Sequence, residues 1–329
     1  MARYLAFACL ALALVAIATV PIASAERSDG LLIIVTAPSL VDDVRSLASE
    51  DDAVQSIVPP NVDPHSYGLK PSDIDTLRRA SIIVTLGHTP IDRRIEELAS
   101  RGALKAVVIS IPEVPNLTLL KVPGTHATNL HMPIYDPRNY EKFLRYLANE
   151  MARLRPSKRD VYVQHLEKLL EELRDIEESC PKLNIVAVAS DPVLQYAVEW
   201  MGIHVEHVLC PEHGVPPTPS SVAKAEDILC RRHGVAVVSQ PLTTASMKLL
   251  EIAKKCSAPI IYVPLPYQGT SLLKNLRYVV QQVQNLTIAE RSISTNTNSS
   301  WNSIALPIAL ILVLIAAIII VATKRFRAR

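Results

Sequence analysis

Nine histidines are spread along the 329 residues, and a few stand where an imidazole could do chemistry. His65 lies in "VPPNVDPHSYGLKPSDI", between Pro64 and Ser66, in a loop stiffened by Pro59, Pro60 and Pro64. His131 lies in "NLHMPIYDPRNY", where Asp136 and Pro137 form a helix-start signal that does not account for the ring five residues earlier. His213, in "CPEHGVPPTP", is another loop histidine, with Cys210 and Glu212 nearby. Imidazoles on stiff loops suit a metal ligand, since little freedom remains to be lost on binding. The other histidines have plainer readings. His88, in "LGHTPID", precedes Thr89, which can cap the next helix. His126 falls in the flexible "PGTHATN", His165 in a long helix, His204 and His207 in a strand, and His233 near a helix end that favours a cation.

The surrounding pattern says what must position these groups. Apolar, β-branched runs at 31–36, 53–58, 81–87 and 106–110 read as strands, with the amphipathic stretches "LVDDVRSLAS", "PSDIDTLRRA" and "PIDRRIEELAS" between them as helices. The pattern repeats with runs at 183–190, 203–209, 234–240 and 259–265. Such runs separated by helices predict parallel sheets covered on both faces. Between the halves, residues 157–180 place Tyr162, Leu166, Leu169, Leu170, Leu173 and Ile176 on one face of a single long helix. The expected fold is α/β: two parallel-sheet lobes joined by one long helix, which limits hinge motion. Ligands of such sheets sit beyond the carboxyl ends of the strands. His65 follows the second strand, His88 the third, Asp191 the fifth, and Cys210, Glu212 and His213 the sixth, while Gln240 ends the seventh.

The ends carry addresses. Residues 1–25 carry Arg3 near their start, continue through an apolar run and close on "ASA", a secretory signal. Residues 304–323 carry no charge over a bilayer-spanning length, and the basic tail 324–329 predicts a cytoplasmic C-terminus. The polar stretch 288–303 reads as a stalk. The body then divides into a first lobe at 26–156, a linking helix at 157–180 and a second lobe at 181–287, held outside the cell membrane by one C-terminal span. A net charge of +2 gives no support to a nucleic-acid partner. The body holds four cysteines and no C-x-x-C pair. Cys180, Cys230 and Cys256 each precede a strand and Cys210 ends one, so a bridge is expected between two of the first three, with Cys210 unpaired on the cleft side.

"PPNVDPHSYGLKPSDIDTLRRASIIV" resembles the signature of the zinc/manganese solute-binding proteins that serve ABC transporters, in which a D-P-H-x-Y loop precedes a P-S-D-I helix. "NLHMPIYDPRNY" is similar to the second signature, D-P-H-x-W-L-D-P-x-N, with Asn129 and Leu130 in place of Asp and Pro. "HGVPPTPSSVAKAEDIL" and "TSLLKNLRYVVQQV" resemble the family's second-lobe segment and final helix, so the resemblance runs over about residues 30–285. It implies a metal bound in the cleft between lobes, with His65 and His131 aligned to the two first-lobe ligands. Where the family places His or Glu after the first strand of its second lobe, this chain has Asp191. Gln240 replaces a frequent Glu, and "YVPLPY" lacks the usual Asp. His213 or Glu212 can supply a further ligand.

The expected metal set is therefore His65, His131, Asp191 and His213, and the cargo is zinc or manganese. The resemblance implies a monomeric receptor, not an enzyme, that hands the ion to an ABC permease in the same membrane. The C-terminal anchor looks archaeal. Alternatives are a receptor of the same fold for a chelate or larger cofactor, and a surface adhesion module that has lost transport. Asp191 also stands where it could simply cap a helix starting at Pro192.

Overall fold

The β-branched runs form eight short parallel strands in two four-stranded sheets. The computed structural model describes residues 30–211 and 215–287. The leader at 1–25, the stalk, span and tail from 288 onward, and His213 with Glu212 lie outside these residues. No helix among the described residues is long and apolar enough to cross a membrane.

In the first lobe, β1 (Leu32–Val35), β2 (Ala53–Ser56), β3 (Ile82–Thr85) and β4 (Val107–Ser110) lie in the order β2-β1-β3-β4. Between them run α1 (Val41–Leu47), α2 (Pro71–Arg79) and α3 (Pro90–Ser100). The second lobe has β5 (Ile185–Ala189), β6 (Ile203–Val208), β7 (Val235–Gln240) and β8 (Ile260–Pro264) in the equivalent order β6-β5-β7-β8. Its helices are α6 (Gln195–Glu199), α7 (Pro219–Glu226), α8 (Thr244–Cys256) and a last helix, α9, at 272–287. The strands are shorter than their apolar runs because the outer residues of each run turn into loops.

Two more helices follow the first sheet, and the second of them joins the lobes. α4 (Pro137–Leu154) starts at the Asp136 cap, whose carboxylate accepts from the Arg138 amide at 2.9 Å. α5 (Arg159–Ser179) is the expected long helix, and Tyr162, Leu166, Leu169, Leu170, Leu173 and Ile176 form its buried face. These residues share one continuous core with α1, α4, α9 and strands of both sheets. Smaller cores cover the other face of each sheet, so both sheets are buried on both sides. Asp52 fastens α5 to the first lobe. Its buried carboxylate accepts from Leu31 N, Ser49 N, Tyr162 Oη and Arg155 Nη1, all at 2.8–3.0 Å.

Cys230 and Cys256 form a disulfide between the π turn that ends α7 and the end of α8. Cys180 and Cys210 are free and buried. The bridge thus joins two of the three cysteines that precede strands and leaves Cys210 unpaired, as expected.

Candidate metal centre

In each sheet the strand order reverses between the first and third strands of the lobe, and the loops beyond those two strands face the other lobe. Such reversal points are where open α/β sheets gather ligands. Three histidines from the first lobe meet here. His65, His88 and His131 each offer a ring nitrogen, and the three nitrogens lie within 4.8 Å of one another. Ring centroids are 5.3 Å apart for His65 and His88, 6.1 Å for His65 and His131, and 4.5 Å for His88 and His131. Two nitrogens on a tetrahedral zinc with bonds of about 2.0–2.1 Å would sit about 3.3 Å apart.

Each ring is held by an oxygen two residues earlier in the chain. Asp63 Oδ1 accepts from the His65 amide and from His65 Nδ1, both at 2.9 Å. Asn129 Oδ1 accepts from the His131 amide and from His131 Nδ1, both at 3.0 Å. The Leu86 carbonyl accepts from His88 Nδ1 at 3.1 Å. A carboxylate, an amide oxygen and a carbonyl can only accept, so each Nδ1 keeps its proton and each Nε2 carries the lone pair. Burial lowers the pKa of His88 below the usual 6.5, which keeps that ring neutral.

The backbone explains how each ring is delivered. Around His65, Ser66 N and Oγ both bond the Asp63 carbonyl, while Tyr67 Oη reaches Asp73 of α2 at 2.9 Å. Before His88, Gly87 has φ +78°, and a Cβ there would meet Ser110 Oγ at 2.5 Å and Pro112 Cδ at 2.6 Å. Asp92, fully buried in α3, shapes the loop by accepting from Thr36 Oγ1, Leu86 N, Thr89 N and Thr89 Oγ1. Thr89 does cap α3, as expected, but the capping explains Thr89 and not its neighbour. The ring that precedes this cap, for which the sequence suggests a plainer role, lies beside His65 and His131. After His131, Met132 takes a left-handed φ of 51°, an uncommon conformation for a side chain of that size.

The second lobe supplies the opposite wall. Asp191, Pro192, Val193, Cys210, Thr243, Leu265, Pro266 and Tyr267 close a cavity of about 70 Å³ over the histidines. Asp191 precedes the turn Pro192–Leu194 but makes no side-chain cap bond to it. Its Oδ2 accepts from Ser190 Oγ at 2.6 Å and Thr243 Oγ1 at 3.1 Å, above a buried cluster of Ser190, Ser239 and Ser246 hydroxyls. The capping alternative for Asp191 therefore lacks its hydrogen bond. Gln240 is not among the described residues that line the cavity, and Thr243 occupies that side instead. Burial, with the charge of Asp191, pushes the Cys210 thiol up to about 11. Burial, with Asp63 and Asp191, pushes Tyr267 up to about 12.

Two α/β lobes face one another across this site, with one long helix connecting them. Solved structures show the same fold. One is a crystal structure of ZnuA, at 20% identity over 78% of this chain and 99% of that one, with a TM-score of 0.65. Another is the solute-binding protein FpvC of Pseudomonas aeruginosa in complex with Mn2+, at 19% identity, 78% and 99% coverage and a TM-score of 0.64. A third is the periplasmic zinc-binding protein TroA of Treponema pallidum, at 15% identity, 77% and 98% coverage and a TM-score of 0.61. No curated protein sequence matches. Residues 33–285 match the family described as "ZnuA: Zinc-uptake complex component A periplasmic", and the chain belongs to it. Its members are extracytoplasmic metal-binding components of ABC uptake systems and not enzymes.

Proposed function

We propose that this protein captures a divalent transition metal ion, zinc before manganese, on His65, His88 and His131, with Asp191 as the anionic ligand from the second lobe. The observation that carries this reading is the convergence of three imidazoles whose Nδ1 protons are all locked by local acceptors. Three neutral nitrogens and one carboxylate favour zinc, whereas manganese prefers more oxygen donors. His88 replaces, from the first lobe, a ligand that "YVPLPY" no longer offers from the second. His213 stays a candidate for a further position.

The three ring nitrogens suit a bare ion better than a chelate, whose metal already has its donors. The adhesion alternative rests on a depleted second lobe, and the third imidazole removes its main support.

The remaining parts of the reading follow the sequence. A leader at 1–25 sends the chain out of the cytoplasm. A first lobe at 26–156, a linking helix at 157–180 and a second lobe at 181–287 form a monomeric receptor. A stalk at 288–303, a span at 304–323 and a basic tail at 324–329 tether it, in the archaeal manner, beside the ABC permease that takes the ion.

Elemental analysis and competitive titration of the purified chain test the proposal. One equivalent of zinc, preferred over manganese and lost in the His65→Ala, His131→Ala double variant, is the expected result. A double variant that binds as the parent does would overturn it.

A further inference from the structure

The Asn129 side chain is fully buried and looks two ways. Its Oδ1 accepts both bonds that orient His131. Its Nδ2 donates to the Pro192 carbonyl and to Gln195 Oε1 in the second lobe, each at 2.9 Å. The amide is planar, so neither end can turn without moving the other. Both acceptors belong to the short segment that begins at Asp191.

More bonds clamp the same two segments together. Gln195 Nε2 donates to the Lys121 carbonyl at 3.2 Å. Tyr196 Oη donates to the Asn129 carbonyl at 2.7 Å and accepts from the Leu120 amide at 2.8 Å. Lys121 and Thr128 pair across this first-lobe hairpin. The hairpin that presents His131 is thus bolted to the second-lobe segment that presents Asp191.

We propose that Asn129 is a positioning residue through which the second lobe sets the orientation of the His131 ring, so that moving the 191–196 segment loosens the histidine trio. The inference rests on the metal reading given above. The chemistry explains why an amide stands where the similar motif has a carboxylate. An aspartate could hold His131 equally well, but would face the Pro192 carbonyl and Gln195 Oε1 with no proton to give. Asn129 exchanges a stronger hold on the ring for a link between lobes. Metal release then needs no wide opening, since a small displacement of that segment frees the ring to turn.

A double-mutant cycle on zinc affinity tests this, using the full chain, Gln195→Met, Asn129→Ala and the pair, with metal-free thermal melts alongside. Gln195 hydrogen-bonds Asn129 and the Lys121 carbonyl and none of the three rings, so the part of its effect that disappears in the Asn129→Ala background is the part that passes through Asn129. Gln195→Met should weaken zinc binding by about threefold to tenfold in the parent and have no further effect in the Asn129→Ala background. Asn129→Asp, which keeps the acceptor for the ring, serves the same cycle if Asn129→Ala does not fold, and should likewise silence Gln195→Met. Equal effects of Gln195→Met in both backgrounds, or no effect on a parent that binds zinc, would overturn the coupling and leave the metal reading standing. A parent chain that takes up no zinc would instead overturn the metal reading itself.

Discussion

Replacing His88 by alanine separates a ligand from a buried bystander. As a bystander the ring contributes its packing and one hydrogen bond to the Leu86 carbonyl, a net of about 1 kcal/mol in folding stability. As a ligand it contributes one of three nitrogens within 4.8 Å of one another. Its loss should then weaken zinc binding at least tenfold, about 1.4 kcal/mol. Burial keeps the ring neutral, so no proton has to leave it near pH 7 and the whole donor effect should appear there. Competitive titration against a chromophoric chelator reads the affinity, and melting of the metal-free variant reads the fold. A variant that melts lower but binds zinc within about twofold of the parent would refute the argument. It would return the site to the two first-lobe histidines of the similar motif.

Asp191→Ala should lower zinc affinity about tenfold or more, beside a loss of about 1 kcal/mol or more in metal-free stability for the bonds it accepts from Ser190 Oγ and Thr243 Oγ1. A stability loss with affinity intact would remove Asp191 from the site. The stability of the metal-free protein should fall as pH drops through about 6.5. There the unfolded chain takes up the His88 proton, while the native protein, with its lowered pKa, does so only at more acid pH. His88→Leu should flatten that part of a melting-versus-pH curve, and an unchanged slope would assign it to other groups. Asp43→Ala should cost about 3 kcal/mol in chemical denaturation, since Tyr140 Oη, Ser271 Oγ and Leu273 N all donate to that buried carboxylate. A loss under about 1 kcal/mol would show that water replaces it.

All eight strands and the long helix were legible, because β-branched runs buried on both faces and a one-sided apolar helix leave strong periodic signals. His65 and His131 were legible because proline-flanked loops gave them no structural employment. His88 was not, since a helix cap at Thr89 explained the local sequence so well that the residue before it was read as incidental. Its position just past β3, after a glycine that the turn requires, was the signal that could have found it. Asn129 was noticed only as a departure from a motif. What it gained, two hydrogens for the other lobe, depends on the distant partners Pro192 and Gln195, which local sequence does not reveal. Gln240 does end β7, but which side chain turns toward the cavity there depends on the loop beyond it, and that side is taken by Thr243.

The last helix, α9, is stitched to three parts of the molecule. Asp43 of α1 accepts from the Leu273 amide in its first turn. The Gln282 side chain pairs with both the amide and the carbonyl of Tyr262 on the edge strand β8. Gln284 Nε2 donates to the Ser179 carbonyl at the end of α5. In mechanical terms α9 is a joint that spreads force. A pull on the chain beyond residue 287 enters through this helix and divides among the first lobe, the second sheet and the linking helix. Because the load reaches both lobes together, tension along the chain drags the receptor as a whole and does little to prise the cleft apart. The histidine cluster is thereby insulated from a pull on that end of the chain.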